Sequence, residues 1–457
     1  MLTRLKTAVA NADCWTEIRY HKRLLTNVEV KNGIVSRAES KNLAGAGIRC
    51  LVDGSWGFVA TSDVSKEGIN KAIDEANKAA RLGSSLKKEK IAGLAEGNQA
   101  RGNFVYVEPG EEPSLEEKLE LFLSAEEKIR SEEQMVIGII SYSKYDDQKI
   151  IINSDGAEAQ ITDNKQDIAV IAVAQGEDGQ EMGVDSNGVT GTWDDLFAER
   201  PLDEMVNKTV NLARQKLAAG YAPGGQFTVI LDPMLVGVLA HEAIGHTVES
   251  DFVLSGSIVK DKIGEQVASD LVTLVDDGNM DRTAGMTLVD DEGILSQRTL
   301  IIEDGILKDY LHNRESAYQM KAEPRGNARA YTYRDEPIVR MTNTFILPGD
   351  DDLEEMIKGI DDGFYLKGLG QGGQADANAE FMFGVLEAYR IKDGEVAEPV
   401  KGITISGQAF DVLKSVDAVG KNMKFALGRG FCGKGQPAKV DAGGPHLRCK
   451  VTIGGQQ

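Results

Sequence analysis

The sequence predicts an α+β protein of two lobes, each a mostly antiparallel, hairpin-rich sheet with flanking helices. Three observations carry this expectation. Polar-glycine turns recur at Asn32-Gly33, Asp53-Gly54, Asp304-Gly305 and Asp393-Gly394, and such dipeptides between β-rich runs are strong hairpin signals. Residues 136–190 run through VIGIISYS, KIIINS and DIAVIAVAQ with only turn residues between them, a meander rather than the βαβα rhythm of a nucleotide fold. A helical pattern over residues 202–219 gives way to AGYAPGGQ, residues 219–226, whose glycines and proline mark a boundary. It divides the chain into an N-terminal α+β domain, residues 1–220, and a C-terminal metal-bearing domain, residues 221–457.

The elements follow in order. Residues 15–21, 27–31 and 34–38 read as extended, the last two joined at Asn32-Gly33, and residues 47–52 and 56–60 flank Asp53-Gly54. Ile69, Ala72, Ile73, Ala76 and Ala79 give residues 66–81 the spacing of one helix face. A second helix opens at Pro113-Ser114 with Glu117 at capping-box spacing. In the second half, residues 227–231 form an apolar, β-branched strand, Asp232 is placed to cap, and Pro233 suits the first helical position. Glycine-rich residues 367–380 and 428–436 are the loops expected to carry function.

Composition narrows the function. Lys and Arg number 51 against 72 Asp and Glu, a net charge of −21 spread along 457 residues, whereas nucleic-acid binding needs a basic surface. Cys14, Cys50, Cys432 and Cys449 include no CxxC pair, so reduced thiols rather than a disulfide scaffold are expected. The first residues carry Arg4 and Lys6 but no sustained apolar core before Asp13 and Glu17, and no run approaches the roughly 20 apolar residues of a membrane span. A cytoplasmic protein is the expectation, with neither nucleic acid nor membrane as partner.

The stretch HEAIGHTVESD, residues 241–251, places HExxxH on the helix that follows the strand. The familiar zinc helix has two residues between HE and His. At about 100° per residue, a spacing of five swings the second ring roughly 140° from the first on an ideal α-helix. Gly245, just before the second His, lets the last turn either widen into a π-type turn or end in a distorted cap; in a widened turn of about 4.4 residues His241 and His246 converge, so a helix deformed there is expected. Two imidazoles beside a carboxylate are the parts of a catalytic zinc centre: His241 and His246 as ligands, and Glu242 as the base for a zinc-bound water. The competing reading is a pair of ordinary helix-end histidines bonded to carbonyls.

A third ligand is still required, and the spacing leaves it open among Glu249, Asp251, His312, His446, Cys432 and Cys449. His446 and Cys449, three apart on a strand, face opposite ways and cannot share one ion. Cys432, in a glycine-flanked loop, competes with Glu249 and His312. Arg340, Thr342 and Asn343 lie beside a strand, suited either to a peptide backbone or to a turn network.

Four segments carry a resemblance: HEAIGHTVESDF from residue 241, RMTNTFILPGD from 340, GGQADANAEFMFGVLEAYRIKDGEVAEPVKG from 372, and FCGKGQ from 431. Together they resemble the TldD/PmbA family, in its metal-bearing TldD-type branch; the likeness runs along most of the chain and is densest after residue 225. It implies a zinc-dependent peptidase of unfolded or extended peptides, with His241, His246 and Cys432 as zinc ligands and Glu242 as catalytic base. It also implies a dimer, either a homodimer or a heterodimer with a metal-free family member, in a family once described as modulators of DNA gyrase. The alternative is a non-catalytic regulatory or assembly subunit acting on another enzyme.

Overall fold

The computed structural model describes the backbone of residues 1–177, 179–375 and 379–455, and the side chains of all of these but 371–375. The chain is α+β and its sheets are largely antiparallel. Two long hairpins, Trp15–Lys31 with Ile34–Val52 and Met135–Asn153 with Glu158–Gly176, form the middle of a seven-stranded sheet. Ser55–Thr61 closes one edge, while Gly179–Thr190 and the parallel strand Arg101–Val105 close the other. At Asn32 and Gly33, φ is 51° and 74°, the pair of positive values a two-residue primed turn requires. The expected short pieces 15–21 and 27–31 are one strand, as are 34–38 and 47–52. Charged residues such as Lys22 and Arg23 interrupt the apolar pattern, but Trp15–Lys31 is paired along both edges, so the ladder continues through them.

This sheet has two differently buried faces, which is what a side-chain period of two allows. One face carries Ile18, Val28, Ile48, Ile140, Tyr142, Ile168 and Val170, packed under the helices Leu2–Ala10, Lys66–Leu86, Leu115–Ser131 and Leu202–Ala218. The other carries Glu17, Arg19, His21, Asp147, Lys165 and Asp167, all at most 6 % exposed. The second half of the chain covers that ionic face, with Arg49 bonded to Glu292, Lys149 to Asp291 and Lys439 to Asp167. The helix Leu2–Ala10 was not anticipated; its short Leu5, Ala8 and Val9 face is buried by the sheet. Ser114 and Glu117 form the expected capping box.

The second half is built around a ring of strands. Asp362–Ala375 pairs with Gly225–Leu231, which pairs with Leu447–Gly454, then Thr404–Gln408, then Glu380–Lys392, and the last returns to Asp362–Ala375. A six-stranded sheet from Ile306–Leu307 to Lys424–Phe425 lies beside it. The helical segment after Leu231 runs through the shared core, with Leu235, Val236, Leu239 and Ile244 packed among Phe364, Phe381 and Phe383. The turns at Asp304-Gly305 and Asp393-Gly394 have φ of 47° and 78°, and 48° and 77°, as hairpin turns require. Within residues 219–226, Gly220–Tyr221 pairs with Glu395–Lys401. The expected functional loop 367–380 is in part the strand Asp362–Ala375; residues 376–378 lie outside the described residues. Among the described residues, no helix is long and apolar enough to cross a membrane.

Candidate metal centre

Local sequence chemistry sets the helix that carries the two histidines. Asp232 accepts a hydrogen bond from the Leu235 N–H at 3.0 Å, and Pro233 occupies the first turn. The α-helical segment Pro233–Val238 then widens into a π-helical one, Leu239–Gly245, followed by a single 3-10 turn, His246–Val248. The His246 N–H donates to the His241 carbonyl, so the two histidines are the two ends of one five-residue hydrogen bond. The widened turn is thus present where the spacing asks for it. Its glycine, however, serves a different purpose from the one expected. Gly245 has an ordinary helical φ of −55°, but a Cβ there would meet the Met341 sulfur at 2.0 Å.

The consequence is convergence. The rings of His241 and His246 lie 5.4 Å apart, centroid to centroid, at 80° to one another. Cys432 reaches them from the far end of the chain, on the hairpin Phe431–Gly433 and Pro437–Lys439, with its Sγ 3.1 Å from His246 Nε2. One donor atom from each of His241, His246 and Cys432 lies within 4.8 Å of the other two. Neither ring nitrogen of the fully buried His241 has a hydrogen-bond partner, an unusual state for a buried imidazole. Two nitrogens and a sulfur, with an orphaned ring among them, are a donor set that fits zinc.

Electrostatics favour the charged thiolate. Burial alone pushes the Cys432 thiol up, but the charge of His241 and the hydrogen bond with His246 outweigh it and bring the thiol down to about 5. Burial likewise works against a charged His246 ring, yet its bonds to Cys432 and Glu249 raise it to about 10. Glu242 is the one residue of Leu239–Gly245 that is not buried. Its side chain is 39 % exposed, with Oε2 3.7 Å from His246 Nε2, so it stands at the open rim of the donor cluster.

Glu249 lies behind His246 rather than among the donors. Its Oε2 is 2.9 Å from His246 Nδ1, which leaves Nε2 for Cys432. Burial would raise this carboxyl, but the bond to His246 and the charges of His246, Lys434 and Arg340 hold it below the usual carboxylate range. Lys434, in the turn of the cysteine hairpin, donates to Glu249 at 3.0 Å and to Asp251 at 2.6 Å. Arg340, 1 % exposed, donates to the Cys432 and Gln436 carbonyls, each at 2.6 Å. Two cations therefore pin the hairpin to the helix end.

The remaining candidates lie elsewhere. His312 Nδ1 is bonded to Ser316 Oγ, and His446 Nε2 to the Tyr365 hydroxyl. Cys449 is buried in the apolar core, where burial pushes its thiol up to about 12. Thr342 and Asn343 are buried in a network with Asp276 and Asp277, so they belong to the turn network rather than to a groove. Lys434 and the role of Glu249 escaped the sequence reading. The one available signal was the three-residue spacing of His246 and Glu249, which puts both on one helical face.

Three family models match the chain in succession: PmbA/TldA metallopeptidase domain 1 over residues 16–80, the central domain over 108–217, and the C-terminal domain over 224–455. A protein named metalloprotease from Methanothermobacter thermautotrophicus is 36 % identical, covering 96 % of this chain and 95 % of that one. A zinc metalloprotease TldD homolog from Saccharolobus solfataricus is 29 % identical over the full length of both chains. The crystal structure of a putative modulator of a DNA gyrase from Thermotoga maritima shares the fold, with a TM-score of 0.80 at 22 % identity and 99 % of both chains covered.

Proposed function

This chain belongs to the PmbA/TldD family, and from that membership we propose that it is a zinc-dependent peptidase acting on unfolded or extended peptides. One observation carries the reading: the donor atoms of His241, His246 and Cys432 lie within 4.8 Å of one another. Three protein ligands of this kind are what a catalytic zinc site uses, leaving one position for water or substrate. Zinc held there supplies Lewis acidity, polarising a carbonyl and lowering a water's pKa to about 7.

The chain's own residues supply the rest. Packing fixes His241, and the Glu249 carboxylate on Nδ1 fixes the orientation and basicity of the His246 ring. A thiolate ligand leaves the site less positive than a third imidazole would, so more of the activation falls to Glu242. At the rim, the Glu242 carboxylate takes the proton of the attacking water and passes it to the departing amine nitrogen. An open cleft of about 570 Å³ that touches Met234, Leu427 and Phe431 supports an extended peptide as the substrate.

Elemental analysis of the purified protein is expected to find close to one zinc per chain. Glu242→Gln is expected to keep that zinc and to lose roughly 10²- to 10⁴-fold in hydrolysis of an unstructured peptide. Undiminished hydrolysis would remove Glu242 as the base, and a protein that hydrolyses without metal would remove the centre.

Three further parts of the reading go with this one. The division is into units 1–220 and 221–457, supported by the main apolar clusters lying wholly on one side of residue 220, with one small cluster, of Ala100, Ile151, Met286 and Val289 among others, joining the two. The partner is a second chain of this fold, identical or a metal-free relative, to be tested by the mass of the purified complex in solution. The compartment is the cytoplasm, where the Cys432 thiolate stays reduced.

A further inference from the structure

We propose that a buried cationic cavity beside the Cys432 hairpin is a carboxylate-binding subsite, which takes the free C-terminal carboxylate or an acidic side chain of a bound peptide. The proposal rests on the peptidase reading and names a chemical feature of the substrate.

The cavity holds about 60 Å³ and lies where the ionic face of the seven-stranded sheet meets the second half of the chain. Arg23, Lys149, Lys165, Arg329 and Lys439 line it, against the carboxylates of Asp147, Asp163 and Asp291. Four of the five cations have a carboxylate partner, Arg23 in Asp147, Lys149 in Asp291, Lys165 in Asp163 and Lys439 in Asp167, which leaves Arg329 over. Neutralisation is incomplete at two groups. Arg23 spends Nε and Nη2 on Asp147, and its buried Nη1 has no partner. Arg329 donates to the main-chain carbonyls of Met341 and Lys439 and forms no ion pair with a carboxylate among the described residues. Burial, opposed by Asp163 and reinforced by the charges of Arg329 and Lys439, brings the Lys165 ammonium down to about 8. A buried anion relieves such a cluster, and charge-assisted hydrogen bonds to it are the strong kind.

Position selects the anion, and size admits it: at about 10–15 Å³ of such space per water, the cavity has room for a carboxylate group or a cluster of about four waters. Phe431 and Ala438 form part of its wall, and both adjoin Cys432, the first in sequence and the second across the hairpin. Tyr145 and Phe431, with rings 5.5 Å apart, line this cavity and also the open cleft. That cleft reaches Met234, in the first turn of the helix that carries His241. Cavity and cleft thus share one packed aromatic pair as a common wall, which adjoins a proposed zinc ligand.

The test uses the full-length zinc-loaded protein carrying Glu242→Gln, so that peptides bind without being cut. Three short unstructured peptides are compared: one with a free C-terminal carboxylate, its C-terminal amide, and the amide with one residue replaced by Glu. The acid is expected to bind about tenfold or more tightly than the plain amide, with rising acetate weakening the acid and not the amide. Lys165→Met is expected to bring acid and plain amide close together. If the Glu-containing amide matches the acid, the side chain is the source of the carboxylate. Equal binding of all three peptides, unaffected by acetate, overturns the subsite and leaves the cavity to water. Wild-type turnover separates the two readings. Equal cleavage of acid and amide removes the subsite and keeps the peptidase, whereas acid-selective binding with no cleavage of any peptide removes the peptidase and keeps the subsite.

Discussion

A methyl group at position 245 would sit 2.0 Å from the Met341 sulfur, far inside any non-bonded contact. Gly245→Ala is therefore expected to cost about 1–3 kcal/mol, the usual range for overpacking, and to displace His246, which follows it directly. Urea denaturation and zinc content both check this; a variant that melts like the parent and holds its metal would show that Met341 moves aside freely. Glu249→Gln keeps the size of the side chain while removing its charge, and is expected to weaken zinc binding by roughly 10- to 100-fold in competition with a chelator. The sequence points to His241, His246 and Glu242 because their chemistry is local. It cannot separate Cys432 from Glu249 as a candidate third ligand, because Cys432 is brought beside His246 by a hairpin 186 residues away. It also finds the glycine for a conformational reason, when the actual reason is a neighbour contributed by another segment.

The elements show the same division between local and distant causes. Hairpin turns at Asn32, Asp53, Asp304 and Asp393 were legible because each needs positive φ at two adjacent residues, which few dipeptides tolerate. The capping box at Ser114 was legible for a similar reason. Ser114→Ala is expected to cost about 1 kcal/mol in thermal unfolding, with no change in zinc content; a loss of zinc would show coupling between this helix and the centre that its position gives no reason to expect. The full length of Trp15–Lys31 was not legible. Lys22 and Arg23 break the apolar pattern between the expected pieces 15–21 and 27–31, and Arg23 finds its partner only in Asp147, on a strand 124 residues away.

Across the whole molecule, the charges on the buried ionic face of the sheet clasp the two halves together. Asp291 in the second half meets Lys149 at 2.8 Å and Arg19 at 3.6 Å in the first. Burial would raise the Asp291 carboxyl, but Lys149 and then Arg19 bring it down to about 2. The folded value lies below the unfolded one, so this group contributes stability that is present above pH 4 and is lost as the pH falls towards 2. The difference corresponds to about 2 kcal/mol. Asp291→Asn is accordingly expected to be less stable than the parent at pH 5, with the gap narrowing on acidification; a gap that stays constant from pH 5 to pH 2 would assign the contribution to another carboxylate.

The distance along the chain between His246 and Cys432 also bears on how the protein is made. A ribosome releases the two histidines long before it reaches the cysteine, and the hairpin that brings the thiol home is held by Arg340 and Lys434, themselves late arrivals. A nascent chain therefore has no complete centre while its own segments are still unfolded. For the peptidase of unfolded polypeptide proposed above, this late completion would keep the chain from digesting itself, or its neighbours on the polysome, until its synthesis is nearly finished.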